Sequence, residues 1–218
     1  MIIANYIHSS SITTVPAFND GYTGYTVNKT DNGDGTSTTV IEHDSAKPTS
    51  CKFIGKGGLL HVNYIETSEI TDMSSMFESC KSLLTVNADN WNTSKVINMA
   101  KMFNECSSLT TAPQLPATTL TEGCYAGMFW GCASLTTMPQ LPATTLTPSC
   151  YTFMFLGCSS IKLSETQTWE YQTLYRIPTN WTWIEDTNSL TGMFLNTWWT
   201  FTWTPSVNTT YYTSNTVI

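Results

Sequence analysis

In the middle of the chain, stretches in which hydrophobic and polar residues alternate are followed by stretches in which hydrophobic residues recur every four positions. Residues 134–142 alternate apolar and polar side chains and contain two prolines, which is typical of an extended strand. In the segment that follows, Thr147 suits the N-cap of a helix and Pro148 suits its first turn. Cys150, Met154 and Cys158 then recur every four residues, which predicts one buried stripe on that helix. Each segment therefore predicts a strand followed by a helix.

The segments repeat at a constant spacing. The motif Met-Phe-x-x-Cys occurs four times, and its cysteines, Cys80, Cys106, Cys132 and Cys158, are each 26 residues apart. A fixed period between about 20 and 50 residues is typical of a solenoid, in which each repeat buries its apolar side against its neighbours. Ile54 lies 26 residues before Cys80, so a degenerate opening repeat begins near it. The sequence therefore predicts an α/β solenoid of ~26-residue strand–helix repeats.

The repeats divide the chain into three predicted regions: an N-terminal β region over 1–53, a solenoid over 54–163 and a C-terminal cap over 164–218. In the first region, residues 22–29 and 36–42 are strand-like and are joined by Asp31-Asn32-Gly33-Asp34-Gly35, a strong hairpin turn. A calcium loop is the alternative, but Gly33 and Gly35 occupy positions where an EF-hand needs oxygen ligands. The turn is the favoured interpretation.

Cysteines that occupy equivalent repeat positions are predicted to be reduced. Neighbouring helices of a stack lie roughly 8–10 Å apart, whereas a disulfide needs Cα atoms within about 6.8 Å. Six of the seven cysteines fall in two such columns, with Cys124 and Cys150 in the second. No Cys-x-x-Cys or His-x-x-x-His pair is present, so no zinc site is predicted.

Charge excludes some classes of partner. The net charge is −7, and Arg176 is the single arginine beside eight scattered lysines, which argues against nucleic-acid binding. Only 11% of the residues are charged, and threonine, with 39 residues, takes the place of many charged side chains. No apolar run approaches the ~18 residues that span a bilayer, so no membrane insertion is expected. Residues 1–6 lack the features of a secretory signal, so a complete chain is expected to stay inside the cell or leave it by another route.

The repeats resemble a known family. The pattern of Cys-x-Ser-Leu, a short strand and a Thr- or Ser-led helix ending in Met-Phe is similar to BspA-type leucine-rich repeats. Residues 89–99 resemble the Mycoplasma surface-protein variant, and Leu115–Leu120 and Leu141–Leu146 resemble forms from gut Bacteroidetes and their phages. The resemblance covers roughly 54–163, with an echo at Gly192–Thr197. It implies a leucine-rich-repeat solenoid; such repeats occur in adhesins, surface lipoproteins and virion proteins.

Six of the eight tryptophans lie after residue 164, where a Trp-rich β cap is predicted to cover the last repeat. These rings either fill the cap or bind a partner at its surface, and both alternatives remain open. Trp198 and Trp199 are the strongest binding candidates, because neighbouring strand residues point to opposite faces. The candidate partner-binding residues are Trp181, Trp183, Trp198, Trp199 and Trp203.

No motif of nucleophilic, phosphate-binding or metal-dependent catalysis is present, so no catalytic, cofactor-binding or metal-ligating residue is predicted. A glycosidase could still place its two carboxylates far apart in sequence. We therefore expect a non-enzymatic interaction protein without cofactors. The first hypothesis is a phage virion component, either a head-decoration or a tail-fibre protein, whose partners are other virion proteins, further copies of itself, or a host-surface protein or glycan. The second is a bacterial cell-surface adhesin.

Overall fold

The structure, a computed structural model, describes residues 1–11, 16–18, 25–44, 47–115, 120–178, 189–197, 205–206 and 209–218. Within these ranges it contains ten β-strands and no α-helix. The strands are β1 (Ile2–Ser9), β2 (Thr26–Asp31), β3 (Thr36–Glu42), β4 (Leu59–Ile65), β5 (Thr85–Val86), β6 (Thr137–Met138), β7 (Leu163–Ser164), β8 (Thr173–Arg176), β9 (Thr210–Thr213) and β10 (Thr216–Val217).

The largest sheet has five strands in the order β2-β3-β1-β4-β5. Strands β2 and β3 form a hairpin across the Asp31–Gly35 turn, where the sequence predicts one. Alternate residues of β1 and β3 are buried, as period-2 patterning requires, whereas every residue of β2 is exposed. Because β4 and β5 belong to this sheet, it crosses the predicted boundary at residue 53. The three-part division of the chain stays a prediction.

The predicted helices are wrong: the Met-Phe-x-x-Cys segments are ribbons of consecutive β-turns, so the α/β strand–helix repeat is not the fold. In the first ribbon, Met76 and Cys80 donate their N–H groups three residues back, to Met73 and Phe77. Every fourth residue takes a left-handed conformation, as at Ser75 (φ 54°) and Ser79 (φ 60°) in this ribbon. A helix cannot contain a left-handed residue in each turn, so these segments cannot be helical. Thr147 and Pro148 open a turn ribbon of this kind rather than a helix.

The ribbon buries the same residues that a helix would bury. Met73, Met76, Phe77 and Cys80 are fully enclosed, which is the i, i+3, i+4, i+7 spacing of an amphipathic helix. The two structures differ in where the remaining N–H groups bond. Phe77 donates its N–H to the carbonyl of Met102 in the next repeat (2.9 Å), and Ser79 donates to Asn104 (2.8 Å). Half of the main-chain bonds of a ribbon therefore join neighbouring repeats.

Stacked side chains run through the centre of these ribbons. Consecutive phenylalanine rings lie 5.3–5.6 Å apart and are nearly parallel. This phenylalanine stack comprises Phe53, Phe77, Phe103, Phe129, Phe155 and Phe194. Phe155 donates its N–H to Met193 (2.9 Å), so the Gly192–Thr197 echo continues the stack as a further repeat.

The last described segment of the chain is inserted among the repeats. Strand β10 pairs in parallel with β6, while β9 pairs with β7 and β8 in a three-stranded sheet. Asn215, which is buried, connects the two sheets. Its Nδ2 donates to the carbonyls of Thr136 (3.2 Å) and Ser160 (3.1 Å), and its Oδ1 accepts the N–H of Lys162 (2.7 Å). This one amide therefore satisfies main-chain groups of two successive repeats.

Replacing Asn215 should loosen this connection. Asn215→Ala leaves two carbonyls and one N–H, all part-buried, without the partner that Asn215 supplies, and a fully buried group in that state would cost about 1–3 kcal/mol. We expect the free energy of unfolding, measured by urea titration, to fall by roughly 2–4 kcal/mol. Asn63→Ala is the matched control, because Asn63 makes one exposed amide–amide bond to Asn5. Equal losses in the two variants would contradict the role assigned to Asn215.

Candidate functional site

The predicted partner-binding residues cannot be placed. Trp181, Trp183, Trp198, Trp199 and Trp203 all lie outside the described residues. Three tryptophans are described: Trp91 is half-buried, Trp130 is 41% exposed and Trp169 is 86% exposed.

The cysteines are reduced and buried, as the repeat spacing predicts. Each cysteine of the motif donates its thiol hydrogen to a phenylalanine carbonyl of the preceding repeat; Cys106 Sγ lies 3.0 Å from the carbonyl of Phe77. Burial raises the pKa of the Cys80 thiol to about 12 and that of Cys150 to about 11. It also raises the pKa of Cys106, Cys132 and Cys158. Thiols held neutral in this way are poor nucleophiles and poor metal ligands.

The described residues contain no group of three or more His, Cys, Asp and Glu side chains that could hold a metal ion. No helix that could cross a membrane occurs in the same ranges.

A groove of about 650 Å³ opens where the five-stranded sheet ends. Strand β5 is the last strand of that sheet, and Ala112 of the next repeat donates its N–H to Thr137 Oγ1 (2.7 Å). The groove lies between β5, residues 87–93 and residues 111–114. We call it the Trp91 groove, and its lining residues are Thr85, Val86, Asn87, Ala88, Asp89, Trp91, Thr93, Thr111, Ala112, Pro113, Gln114 and Ile218.

Local hydrogen bonds fix the wall of the groove formed by residues 87–93. Asn87 donates its N–H to the carbonyl of Val62 in the preceding repeat (2.8 Å), and its Oδ1 accepts the N–H of Asp89 (3.0 Å). Trp91 closes a turn by donating its N–H to Ala88 (3.0 Å). The wall is therefore held by side chain–main chain turns, which asparagine and aspartate favour.

Trp91 is the one aromatic side chain among the lining residues that the structure describes. Its ring is nearly parallel to that of buried Phe77, with centroids 6.4 Å apart, so the phenylalanine stack supports the indole. The indole Nε1 is buried and has no hydrogen-bond partner among the described residues. An unpaired buried donor costs about 1–3 kcal/mol, so the structure places an unsatisfied group beside the groove.

Most polar side chains of the described lining are neutral. Asp89, Thr111 and Gln114 are exposed, and their side-chain polar atoms have no hydrogen-bond partner within the described residues. Among the lining residues that the structure describes, Asp89 is the one charged side chain, and there is no lysine or arginine. Val86, Ala112 and Pro113 add apolar surface. The arrangement can accept and donate several hydrogen bonds next to an aromatic ring.

The sequence contains one signal for this groove, the size of Trp91. Spacing by 26 residues places Trp91 in one column with Ile65, Ala117 and Ala143. Ile65 and Ala143 are fully buried, whereas Trp91 is too large for an enclosed position in the same column and is half-buried. A residue much larger than the others in its column therefore marks the place where the repeat opens.

Comparison with known proteins identifies the repeats. Neither curated proteins nor solved structures include a significant match to this chain. Residues 56–169, slightly more than half of the chain, match the family described as "Mycoplasma protein of unknown function, DUF285", which is related to BspA-type repeat proteins. The chain belongs to this DUF285 family.

Proposed function

We propose that the chain is a non-enzymatic interaction protein of a phage virion, a head-decoration or tail-fibre component that presents its stacked repeats to a host surface. The observation that carries the proposal is the fixed register of the stack. Main-chain bonds such as Phe103 N–H to the Met128 carbonyl (2.9 Å) recur from repeat to repeat. A stack of this kind holds a large surface in one shape without a separate core for each repeat.

The surface of the stack supports a role in contact with water and partners. Hydroxyl groups at its rim, such as those of Thr136 and Thr147, donate to carbonyls of the preceding repeat at 3.0 and 2.8 Å. Three ion pairs occur among the described residues, and all of them are solvent-exposed. The resemblance of Leu115–Leu120 and Leu141–Leu146 to phage forms of the repeat favours a virion over other exteriors.

One observation favours a second candidate, a bacterial cell-surface adhesin. The matched family is described from Mycoplasma, a cellular organism, and it is related to BspA-type repeats. In this case the same stack would face outward from the cell envelope.

Locating the native protein tests both proposals. Antibodies against the purified chain should label intact phage particles in immunogold electron microscopy, and peptides of the chain should be found in gradient-purified virions. Labelling of the intact bacterial surface, with virions unlabelled, would replace the virion proposal by the adhesin. Detection inside lysed cells alone would contradict both.

A further inference from the structure

We propose that the Trp91 groove binds a neutral saccharide. This inference deepens the proposed function, on which it rests, by naming the class of ligand that one part of the stack would bind. The groove has a volume of about 650 Å³, which lies within the range of about 300–1,000 Å³ typical of small-molecule sites, so one or two sugar rings fit in it.

The aromatic wall favours a sugar ring. Pyranose rings carry C–H groups on their faces, and these groups pack against the electron-rich face of an indole. Trp91 is partly exposed in the groove and supported from the core by Phe77, with the two rings 11° from parallel. The ring is therefore held in place before a ligand arrives, which reduces the entropy lost on binding.

The polar lining favours hydroxyl groups. A carboxylate accepts hydrogen bonds from two neighbouring hydroxyls, and Asp89 has no such partner within the described residues. Gln114 and Thr111 offer both donors and acceptors, again with their polar atoms unpaired.

The charge and polarity of the lining argue against anionic ligands and against purely apolar ones. Phosphate, sulfate and sialic-acid groups are bound most strongly by lysine or arginine, and the described lining residues include neither. The single carboxylate of Asp89 would repel an anionic ligand instead. A purely apolar ligand would leave Asp89, Thr111 and Gln114 without partners, so it would bind with a desolvation penalty.

The test starts from a glycan array that contains neutral and sialylated glycans, probed with the folded chain. We expect binding to neutral glycans and none to their sialylated forms. The strongest neutral glycan is then titrated by calorimetry against the chain and its variants. Asp89→Ala should weaken binding about 10- to 100-fold, because a hydrogen bond to a charged group is lost. Trp91→Phe keeps a ring beside Phe77 but offers a smaller aromatic face to the sugar, and we expect affinity to fall at least fivefold.

Two controls separate the groove from the rest of the surface. Trp169→Phe changes a tryptophan that is 86% exposed outside the groove lining, and it should leave the affinity unchanged. Thermal unfolding of each variant shows whether a loss of binding is a loss of folding; Asp89→Ala is the decisive variant because Asp89 is exposed. A preference for sialylated glycans, the absence of neutral-glycan binding, or affinity unaffected by Asp89→Ala would each overturn the proposal. Virion labelling is a separate measurement, so the groove can fail while the proposed location stands.

Discussion

Raising the pH from 8 to about 10.5 should unfold this protein at room temperature. Five thiols, those of Cys80, Cys106, Cys132, Cys150 and Cys158, are buried, and burial raises their pKa. In the unfolded chain a thiol ionises near pH 8.5, whereas in the folded chain it stays protonated well above that value. Above pH 8.5 the folded state therefore binds more protons than the unfolded state, so stability falls as pH rises.

The expected effect is large because the thiols act together. Each thiol loses about 1.4 kcal/mol per pH unit between its unfolded and folded pKa, so five lose on the order of 7 kcal/mol per unit. Domains are stable by about 5–15 kcal/mol in total, so one to two units above pH 8.5 exhaust that stability. The measurement is the urea midpoint by circular dichroism at half-unit steps between pH 7 and 10.5. The midpoint should be flat below pH 8 and should fall steeply above 8.5.

A serine variant isolates the contribution of one thiol. Cys106→Ser keeps a donor for the carbonyl of Phe77, which the thiol contacts at 3.0 Å, but its hydroxyl does not ionise in this range. The loss of stability above pH 8.5 should therefore shrink by the contribution of one thiol, about 1.4 kcal/mol per pH unit. A urea midpoint that does not change between pH 8 and 10.5 would contradict burial of the thiols, and so would alkylation of the native cysteines at the rate of a free thiol.

The repeat spacing predicts the stack but cannot tell a helix from a turn ribbon. Both structures bury positions i, i+3, i+4 and i+7, and Met73, Met76, Phe77 and Cys80 satisfy both. What separates them is the left-handed residue in every turn, which is glycine at Gly131 (φ 77°). At other copies the same conformation is taken by residues that carry no such signal, such as Lys101 (φ 57°) and Phe153 (φ 55°). At these positions the left-handed conformation accompanies main-chain bonds to the next repeat. It is not a local property of the sequence.

Long-range contacts account for the other features of the fold that the sequence pattern does not predict. The insertion of β10 beside β6 depends on Asn215 reaching Thr136, 79 residues earlier in the chain. Neither spacing nor propensity reports a contact at that separation. The Trp91 groove also lies at a break in the regular repeat, because it opens where the sheet ends after β5. The sequence therefore predicts the period of the repeats and the residues that they bury, but not their turn structure or their interruptions, and the candidate site lies at an interruption.

Phe129→Ala should strongly destabilise the stack. The Phe129 ring is fully buried and lies 5.6 Å from both Phe103 and Phe155, at 2° and 5° from parallel. Removing it leaves a cavity between two rings that the main-chain bonds of the ribbon hold apart, so the site cannot collapse. We expect the free energy of unfolding to fall by about 3–5 kcal/mol. Urea titration at pH 7 measures this loss, and Ile97→Ala, at a residue that is 62% exposed, should cost less than about 0.5 kcal/mol.

A double-mutant cycle distinguishes stacking from simple loss of apolar volume. If the rings of Phe103 and Phe129 interact across repeats, the double alanine variant should cost less than the sum of the two single variants, with a coupling of about 0.5–3 kcal/mol. The pair Phe53 and Phe129 lies at separate positions of the stack and should be additive within about 0.5 kcal/mol. Additivity in both pairs would mean that each repeat encloses its own phenylalanine. A loss below about 1 kcal/mol for Phe129→Ala alone would mean that the ring does not lie in the core. Coupling confined to neighbouring rings is the energetic signature of a structure in which each repeat is stabilised by the next.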